Sequence, residues 1–157
     1  WEFFYKCYLN TTEKKWGSSY LNKEFFIEIG KKLSSKILLI IAYQKDKMIA
    51  SALNFLSSTH LYGRLWGSVT HIPYLHFELC YYQAIDYAIN KKIQIVEAGA
   101  QGSHKLQRGY MPEKIWSLHW IKNKKFEEAI STYLDKEMQI IERQKKDLEQ
   151  FSPFRFC

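Results

Sequence analysis

The sequence predicts one domain of the mixed α/β (α+β) class, with helices packed on a single central sheet. The chain has 157 residues, of which 46% are apolar and 17% aromatic, so it is large and apolar enough to bury a continuous core. Strand-like segments alternate with segments of helical periodicity. A helix separates the third strand from the fourth, as in a crossover connection. We therefore expect antiparallel strands first and a strand parallel to the third later.

Two helices are predicted in residues 1–35. The first is a short aromatic helix near the start of the chain. The second covers 21–33, where Asn22 is a suitable N-cap and apolar side chains recur at helical spacing. The segment between them, residues 11–20, is rich in Thr, Lys, Gly and Ser and is expected to be a loop.

Three strands are predicted next. Residues 36–43 (KILLIIAY) and 48–56 (MIASALNFL) flank the polar turn 44–47, which predicts a β-hairpin. In the third strand, 60–67 (HLYGRLWG), aromatic or charged side chains alternate with leucine or glycine. The side chains expected on one face of this strand are His60, Tyr62, Arg64 and Trp66.

The second half of the chain predicts a helix, a strand, a loop, a strand and a long helix. The first helix covers 74–92, follows Pro73 and is apolar around most of its circumference. The short apolar run 93–98 (IQIVEA) is typical of a strand inside a sheet. Beyond the loop, 114–121 (KIWSLHWI) alternates like a strand, and 126–151 predicts a long amphipathic C-terminal helix.

Composition argues against several classes of protein. No apolar run approaches the roughly 20 residues of a membrane-spanning helix, and the start of the chain lacks the pattern of a signal peptide, so we expect a soluble protein. The cysteine usage fits a reducing cytoplasm best. The net charge is +7, but the lysines are scattered, which argues against RNA binding by charge alone. Three widely spaced cysteines predict neither a disulfide framework nor a metal site, and Cys80 is expected to be a buried, inert thiol.

Reactive side chains are densest in residues 97–110 (EAGAQGSHKLQRGY). Glu97 ends a predicted core strand, and in open α/β sheets ligands gather beyond such strand ends. Its carboxylate either acts as a general base or accepts hydrogen bonds from the glycine turn that follows. Gly99, Gln101 and Gly102 belong to that turn, where glycine permits positive φ and consecutive N–H groups can bind an anion.

A short helical turn is predicted from Ser103 to Arg108, ended by Gly109. Lys105 and Arg108 stand three residues apart and point the same way. They either hold a phosphate or an acyl oxyanion, or merely complement a helix dipole. His104 is either a proton shuttle or a polar packing residue.

A second group of polar side chains lies at the start of the predicted helix 74–92. His76 and Glu78 fall in its first turn, where free N–H groups favour anions. Glu78 either complements the helix dipole or faces the same crevice as Glu97. Tyr62 and Arg64 are candidates to line that crevice, although most aromatic residues on strands and helices belong to the core.

Four blocks of the sequence resemble the bacterial family of peptidoglycan biosynthesis/recognition proteins, which is related to FemAB-like members of the GNAT acyltransferase superfamily. The blocks are HLYGRLWG, LHFELCYYQAIDYAI, VEAGAQGSHKLQRGYMPE and WSLHWI. The resemblance runs from about residue 14 to the last helix. Proteins of this family are longer, so the chain resembles their C-terminal half, and its start at Trp1 agrees with a missing N-terminal half.

The resemblance implies a GNAT-like mixed sheet and the transfer of an acyl or aminoacyl group to an amine. FemAB-like enzymes take an amino acid from aminoacyl-tRNA to a peptidoglycan precursor, whereas other GNAT relatives use acyl-CoA. It thus implies an anionic or tRNA-linked donor, an amine acceptor and no additional cofactor. It places Glu97 and Gly99 at the strand end, and Lys105 at a position associated with the donor or the oxyanion.

The sequence departs from the related acyltransferases at two points. His104 stands where a phenylalanine commonly precedes the lysine, and no pyrophosphate-binding loop precedes the helix 74–92. The second departure argues against ordinary acetyl-CoA binding at that helix, so the donor stays open.

Two functions are therefore carried forward. In the first, Glu97 or Glu78 deprotonates the acceptor amine, while Lys105 and Arg108 stabilise the donor phosphate or the tetrahedral oxyanion. In the second, the domain is a non-catalytic module that binds an anionic cell-wall precursor or a peptide through the same crevice. Homodimer formation is compatible with either function.

Overall fold

The computed structural model describes residues 1–99 and 102–154, apart from the side chains of Lys15, Trp16 and Ser103. The chain divides into two compact units, Trp1–Ala100 and Gln101–Cys157. The first unit contains the sheet, and the second contains a long helix.

Two helices open the first unit, α1 (Glu2–Trp16) and α2 (Lys23–Lys32). The side chain of Asn22 caps α2, as predicted, by accepting a hydrogen bond from the Phe25 N–H at 2.9 Å. Helix α1 is longer than the sequence predicts and includes part of the expected loop 11–20. The reason is tertiary, because Thr12 is buried where α1 packs on the sheet, and its hydroxyl donates to the Tyr8 carbonyl at 3.0 Å.

Four strands form the sheet in the order β1-β2-β3-β4. They are β1 (Ile37–Gln44), β2 (Lys47–Leu56), β3 (His60–Ser68) and β4 (Ile95–Glu97). Strands β1, β2 and β3 are antiparallel, and β4 is parallel to β3, which confirms the predicted mixed sheet. Lys45 and Asp46 both have positive φ in the hairpin turn, as tight hairpins with right-handed twist require.

Each face of the sheet is covered by helices. On one face, Phe4, Tyr8, Phe26 and Leu53 form a buried cluster beneath α1 and α2. Gly67 of β3 lies so close to α1 that a β-carbon there would collide with the Cys7 carbonyl. On the other face, Ala50, Ala52 and Leu79 form a second cluster, to which Trp66 and Cys80 also pack.

A β-bulge in β3 interrupts the alternation of its side chains between the two faces of the sheet. In the register with β2, Gly63 faces Asn54 and Leu65 faces Leu53, so Arg64 has no partner. Opposed residues share a face of the sheet, which places Tyr62 with Phe55 on the side of α1 and α2. Trp66 lies on the opposite face. The prediction that His60, Tyr62, Arg64 and Trp66 share one face is therefore wrong.

The predicted helix 74–92 is confirmed, with an irregular turn inside it. It consists of α3 (Leu75–Phe77), a π-helical turn (Glu78–Tyr82) and α4 (Gln83–Lys91). It connects β3 to β4 as a crossover.

The second unit contains a 3-10 helix (Ser103–Arg108) and α5 (Lys124–Glu149). An extended segment between them is fixed to α5 by two ion pairs, Lys145 with Glu113 at 2.9 Å and Lys114 with Glu142. The strand predicted at 114–121 is absent. Alternation alone does not make a strand, because a strand needs a hydrogen-bonding neighbour, and none lies among residues 102–154.

Among the helices that the structure describes, none combines the length and the apolar character needed to cross a membrane.

Candidate functional site

A cleft of about 110 Å³ opens beside β3 in the first unit. Strands β3 and β4 pair only from His60 to Tyr62, where Tyr62 faces Glu97. The next residues on the two strands, Gly63 and Ala98, both line the cleft. The cleft thus lies where the parallel pair ends while β3 continues, which is the region where open α/β sheets bind ligands.

Aromatic side chains form one wall of the cleft. The His76 ring meets the Trp66 ring edge-on at 4.8 Å and the Tyr81 ring edge-on at 5.5 Å. His76 and Tyr81 are five residues apart, a spacing that the wider π-helical turn brings onto one side of the helix. His76 thus lines the cleft because of a turn that the sequence did not reveal, and its role in binding stays a prediction.

Asn54 contributes a buried polar group to the cleft. Asn54 is 1% exposed, and its Nδ2 donates a hydrogen bond to the Leu38 carbonyl of β1 at 3.3 Å. The sequence analysis missed this residue. The available signal was a carboxamide in the middle of an otherwise apolar strand, MIASALNFL.

Of the two binding residues predicted on β3, the structure places Arg64 in the cleft but not Tyr62. Arg64 lines the cleft and donates from Nη2 to the Tyr20 hydroxyl at 3.2 Å. Tyr62 stacks on His60 with ring centroids 5.5 Å apart and lies on the other face of the sheet. The β-bulge at Arg64 lies between Tyr62 and the part of β3 that lines the cleft, so the regular alternation of faces does not continue from Tyr62 to Arg64.

The two predicted carboxylates are not brought together in the cleft. Glu97 ends β4, as predicted, and its Oε1 lies 3.9 Å from His60 Nε2. Glu78 is exposed in the π-helical turn and accepts a hydrogen bond from Gln83 Nε2 at 2.8 Å. Among the described residues that line the cleft there is no carboxylate.

The predicted cationic turn is present in the second unit. Residues Ser103–Arg108 form one 3-10 helix, which ends at Gly109 with φ 80°, as predicted. Arg108 Nη1 donates to the His104 carbonyl at 2.8 Å. Lys105 is half-buried, and this burial lowers the pKa of its ammonium group.

Of the residues predicted to form the glycine turn, the structure describes Gly99 and Gly102. Gly99 has φ 74° and Gly102 φ 108°, conformations that favour glycine. A β-carbon at Gly102 would press on the His104 ring, 2.6 Å from Cε1. Gln101, also predicted to bind the donor, lies outside the described residues.

Within residues 1–99 and 102–154, no three His, Cys, Asp or Glu side chains are gathered as metal ligands would be.

The two described cysteines are predicted to resist alkylation in the folded protein. Burial raises the pKa of the Cys80 thiol from 9.0 to about 12 and that of Cys7 to about 11. At pH 8 the reactive thiolate of Cys80 is then about 1,000-fold less abundant than at an unperturbed cysteine. Peptide-resolved mass spectrometry after iodoacetamide treatment, with and without urea, measures this difference. Equal labelling of Cys80 in both conditions would contradict its burial beside the cleft.

Comparison with protein families gives one match. The sequence profile of the FemAB-like family, described as peptidoglycan biosynthesis/recognition, matches residues 1–156. The match thus extends across the cleft and the cationic turn. No curated protein matches the chain at a significant level.

Proposed function

Because the chain belongs to the FemAB-like family of peptidoglycan biosynthesis/recognition proteins, we propose that it is an acyl- or aminoacyltransferase of the GNAT type. Its acceptor is an amine of a peptidoglycan precursor. In this proposal the chain is a GNAT-like domain that forms the C-terminal half of a longer tandem protein. Its other half is then a partner within the same polypeptide.

The observation that carries the proposal is the family match over residues 1–156, and the cleft where β3 and β4 separate supports it as a candidate substrate site. Its lining includes the aromatic residues Trp66, His76 and Tyr81 together with Arg64 and Asn54. A concavity that combines aromatic side chains with a few polar groups is a form that small-molecule sites take. Its place at a strand end agrees with the general position of ligands in open α/β sheets.

The proposed chemistry is a direct transfer. The acceptor nitrogen attacks the donor carbonyl, a tetrahedral oxyanion forms, and the bond from carbon to the tRNA oxygen or CoA sulfur breaks. The amine loses its proton to Glu97 or Glu78, and that proton then passes to the leaving group. Lys105 and Arg108 stabilise the oxyanion or the donor phosphate. The family resemblance supports the role of Lys105, and both donors are to be tested.

A turnover assay with Glu97→Gln tests the proposal. The protein is incubated with a peptidoglycan precursor and either aminoacyl-tRNA or acyl-CoA, and the mass gained by the precursor is measured. If Glu97 is the base, its replacement lowers turnover about 100- to 10,000-fold, because an amide cannot take the proton. Asp46→Asn, which changes an exposed carboxylate of the hairpin turn, is the control and keeps full turnover. Full turnover in folded Glu97→Gln and in folded Glu78→Gln would overturn this mechanism.

One observation favours a second candidate function, a non-catalytic binding module. No carboxylate lines the described part of the cleft, so an amine bound there has no adjacent carboxylate base. Calorimetric titration with the same precursor distinguishes the two functions. Binding without turnover in the presence of either donor supports the module, and turnover with either donor supports the transferase.

A further inference from the structure

The carboxamide of Asn54 has a fixed orientation in the cleft. Its Nδ2 donates to the Leu38 carbonyl, which can only accept a hydrogen bond. The assignment of nitrogen and oxygen in this side chain is therefore set by its partner. The oxygen Oδ1 points away from Leu38 and toward Gly63, which lines the same cleft.

The Oδ1 atom is an acceptor that the described protein leaves unused. No donor among residues 1–99 and 102–154 makes a hydrogen bond to it, although Asn54 is 1% exposed. Among the described residues, the buried side-chain polar atoms without a hydrogen-bond partner do not include Oδ1, so this oxygen is open to the cleft. A ligand in the cleft can therefore supply the donor that the described residues do not.

Gly63 keeps the approach to this acceptor open. A β-carbon at Gly63 would stand 3.7 Å from Asn54 Oδ1 and 3.2 Å from the Glu97 carbonyl. The glycine therefore leaves free the space from which a donor reaches Oδ1. Asn54 and Gly63 are direct partners in the β2-β3 register, so the sheet itself fixes their relative position.

The charges of the cleft select the kind of donor. Arg64 lines the cleft, and among the described lining residues there is no carboxylate, so the cleft offers an ammonium group no counter-charge. A neutral amide N–H needs none. Its carbonyl can accept from Arg64, and its planar group packs on the ring of Trp66 or Tyr81.

We propose that Asn54 Oδ1 is the specificity-determining acceptor of the cleft and binds the N–H of a peptide amide. This inference deepens the proposed function, because it names the part of the substrate that the cleft recognises. It rests on that function only in treating the cleft as a substrate site.

Peptide binding to the full chain tests the inference. The probes are N-acetyl-alanyl-alanine, in its L,L and D,D forms, and the same peptides methylated on the nitrogen of the second alanine. In calorimetric or NMR titrations, at least one parent peptide is expected to bind about 3- to 12-fold more tightly than its methylated form, the equivalent of one hydrogen bond. Asn54→Ala is expected to bind both peptides of the pair equally.

Two further variants complete the design. Gly63→Ala retains Asn54 and its bond to Leu38 but places a methyl group before Oδ1, so it is also expected to lose the discrimination. It decides the question if Asn54→Ala fails to fold. Asn90→Ala, at an exposed asparagine of α4, is the matched control and keeps the discrimination.

Each outcome has a defined meaning. Absence of binding, equal binding of both peptides by the unaltered chain, or discrimination retained in the folded variants would overturn the inference. The titration needs neither donor nor turnover, so its result is separate from that of the transfer assay. Discrimination by Asn54 in a protein without transfer activity would support this inference and refute the proposed transferase.

Discussion

Phe26→Ala is expected to lower the free energy of unfolding by about 3–5 kcal/mol. Phe26 is fully buried in α2, and its ring lies 5.1 Å from the rings of both Phe4 and Tyr8. Truncation removes a large apolar surface and leaves a cavity that Phe4, Tyr8 and Leu53 cannot fill without moving. Since domains are commonly stable by only about 5–15 kcal/mol, this one change removes a large share of stability.

The preceding residue supplies the control. Phe25 lies on the same helix and is 40% exposed, so Phe25→Ala is expected to cost about 1 kcal/mol. Urea unfolding followed by circular dichroism compares the two variants under identical conditions. If both cost the same, the cluster beneath α1 and α2 is not the stabilising core that the packing indicates.

Lys105→Ala is expected to lower kcat/KM for the proposed acyl transfer by about 100- to 1,000-fold, the typical effect of removing one oxyanion donor. The half-buried position of Lys105 makes its charge more effective than a fully solvated one. Lys105→Arg, which keeps the charge, is expected to retain part of the activity. Lys125→Ala, at an exposed lysine of α5, is the control.

The pH dependence gives this prediction a second readout. Burial lowers the pKa of Lys105 below 10.5, and its ammonium group is charged only below that lowered pKa. Transfer is therefore expected to fall as pH rises through it, and Lys105→Arg removes that fall. The unfolded chain, with the ordinary pKa, binds more protons in the same window, so stability rises with pH there. Unchanged kcat/KM in folded Lys105→Ala would exclude the role.

Local patterns predicted the elements that local interactions determine. The hairpin expected at 36–43 and 48–56 is observed as β1 and β2, because its turn residues and apolar runs act over short distances. The crossover helix placed β4 parallel to β3, as chain geometry requires. The 3-10 helix Ser103–Arg108 ends at Gly109, as the glycine signal predicted, although its N-cap position is Gly102 rather than Ser103.

The wrong predictions concern segments whose structure depends on contacts with residues distant in the sequence. Residues 114–121 have the alternation of a strand, yet Trp116, Leu118 and Trp120 are 75%, 100% and 84% exposed. The sequence of this segment has the alternation of a strand, but it does not show whether another strand is available to pair with it. Helix α1 exceeded its predicted length because the sheet buries Thr12.

The site was predicted in part for a similar reason. Chemistry-bearing residues such as Glu97, His76 and Arg64 are visible in a sequence, but the face of the sheet on which each lies depends on register. The π-helical turn and the β-bulge change those faces without a clear sequence signal. Asn54 was not predicted as a site residue, because an asparagine becomes a candidate only when its burial is known.

The β-bulge has one further consequence, which concerns chain length. Strand β3 carries one residue more than its ladder with β2 uses, and that surplus residue is Arg64. A strand without it would pair Gly63 and Leu65 with the same two residues of β2 and leave Trp66 on its present face. The ladder therefore does not need the extra position, and the residue that occupies it lines the cleft and donates to the Tyr20 hydroxyl. Deletion of Arg64 is thus compatible with the β2-β3 pairing but removes both of these contacts.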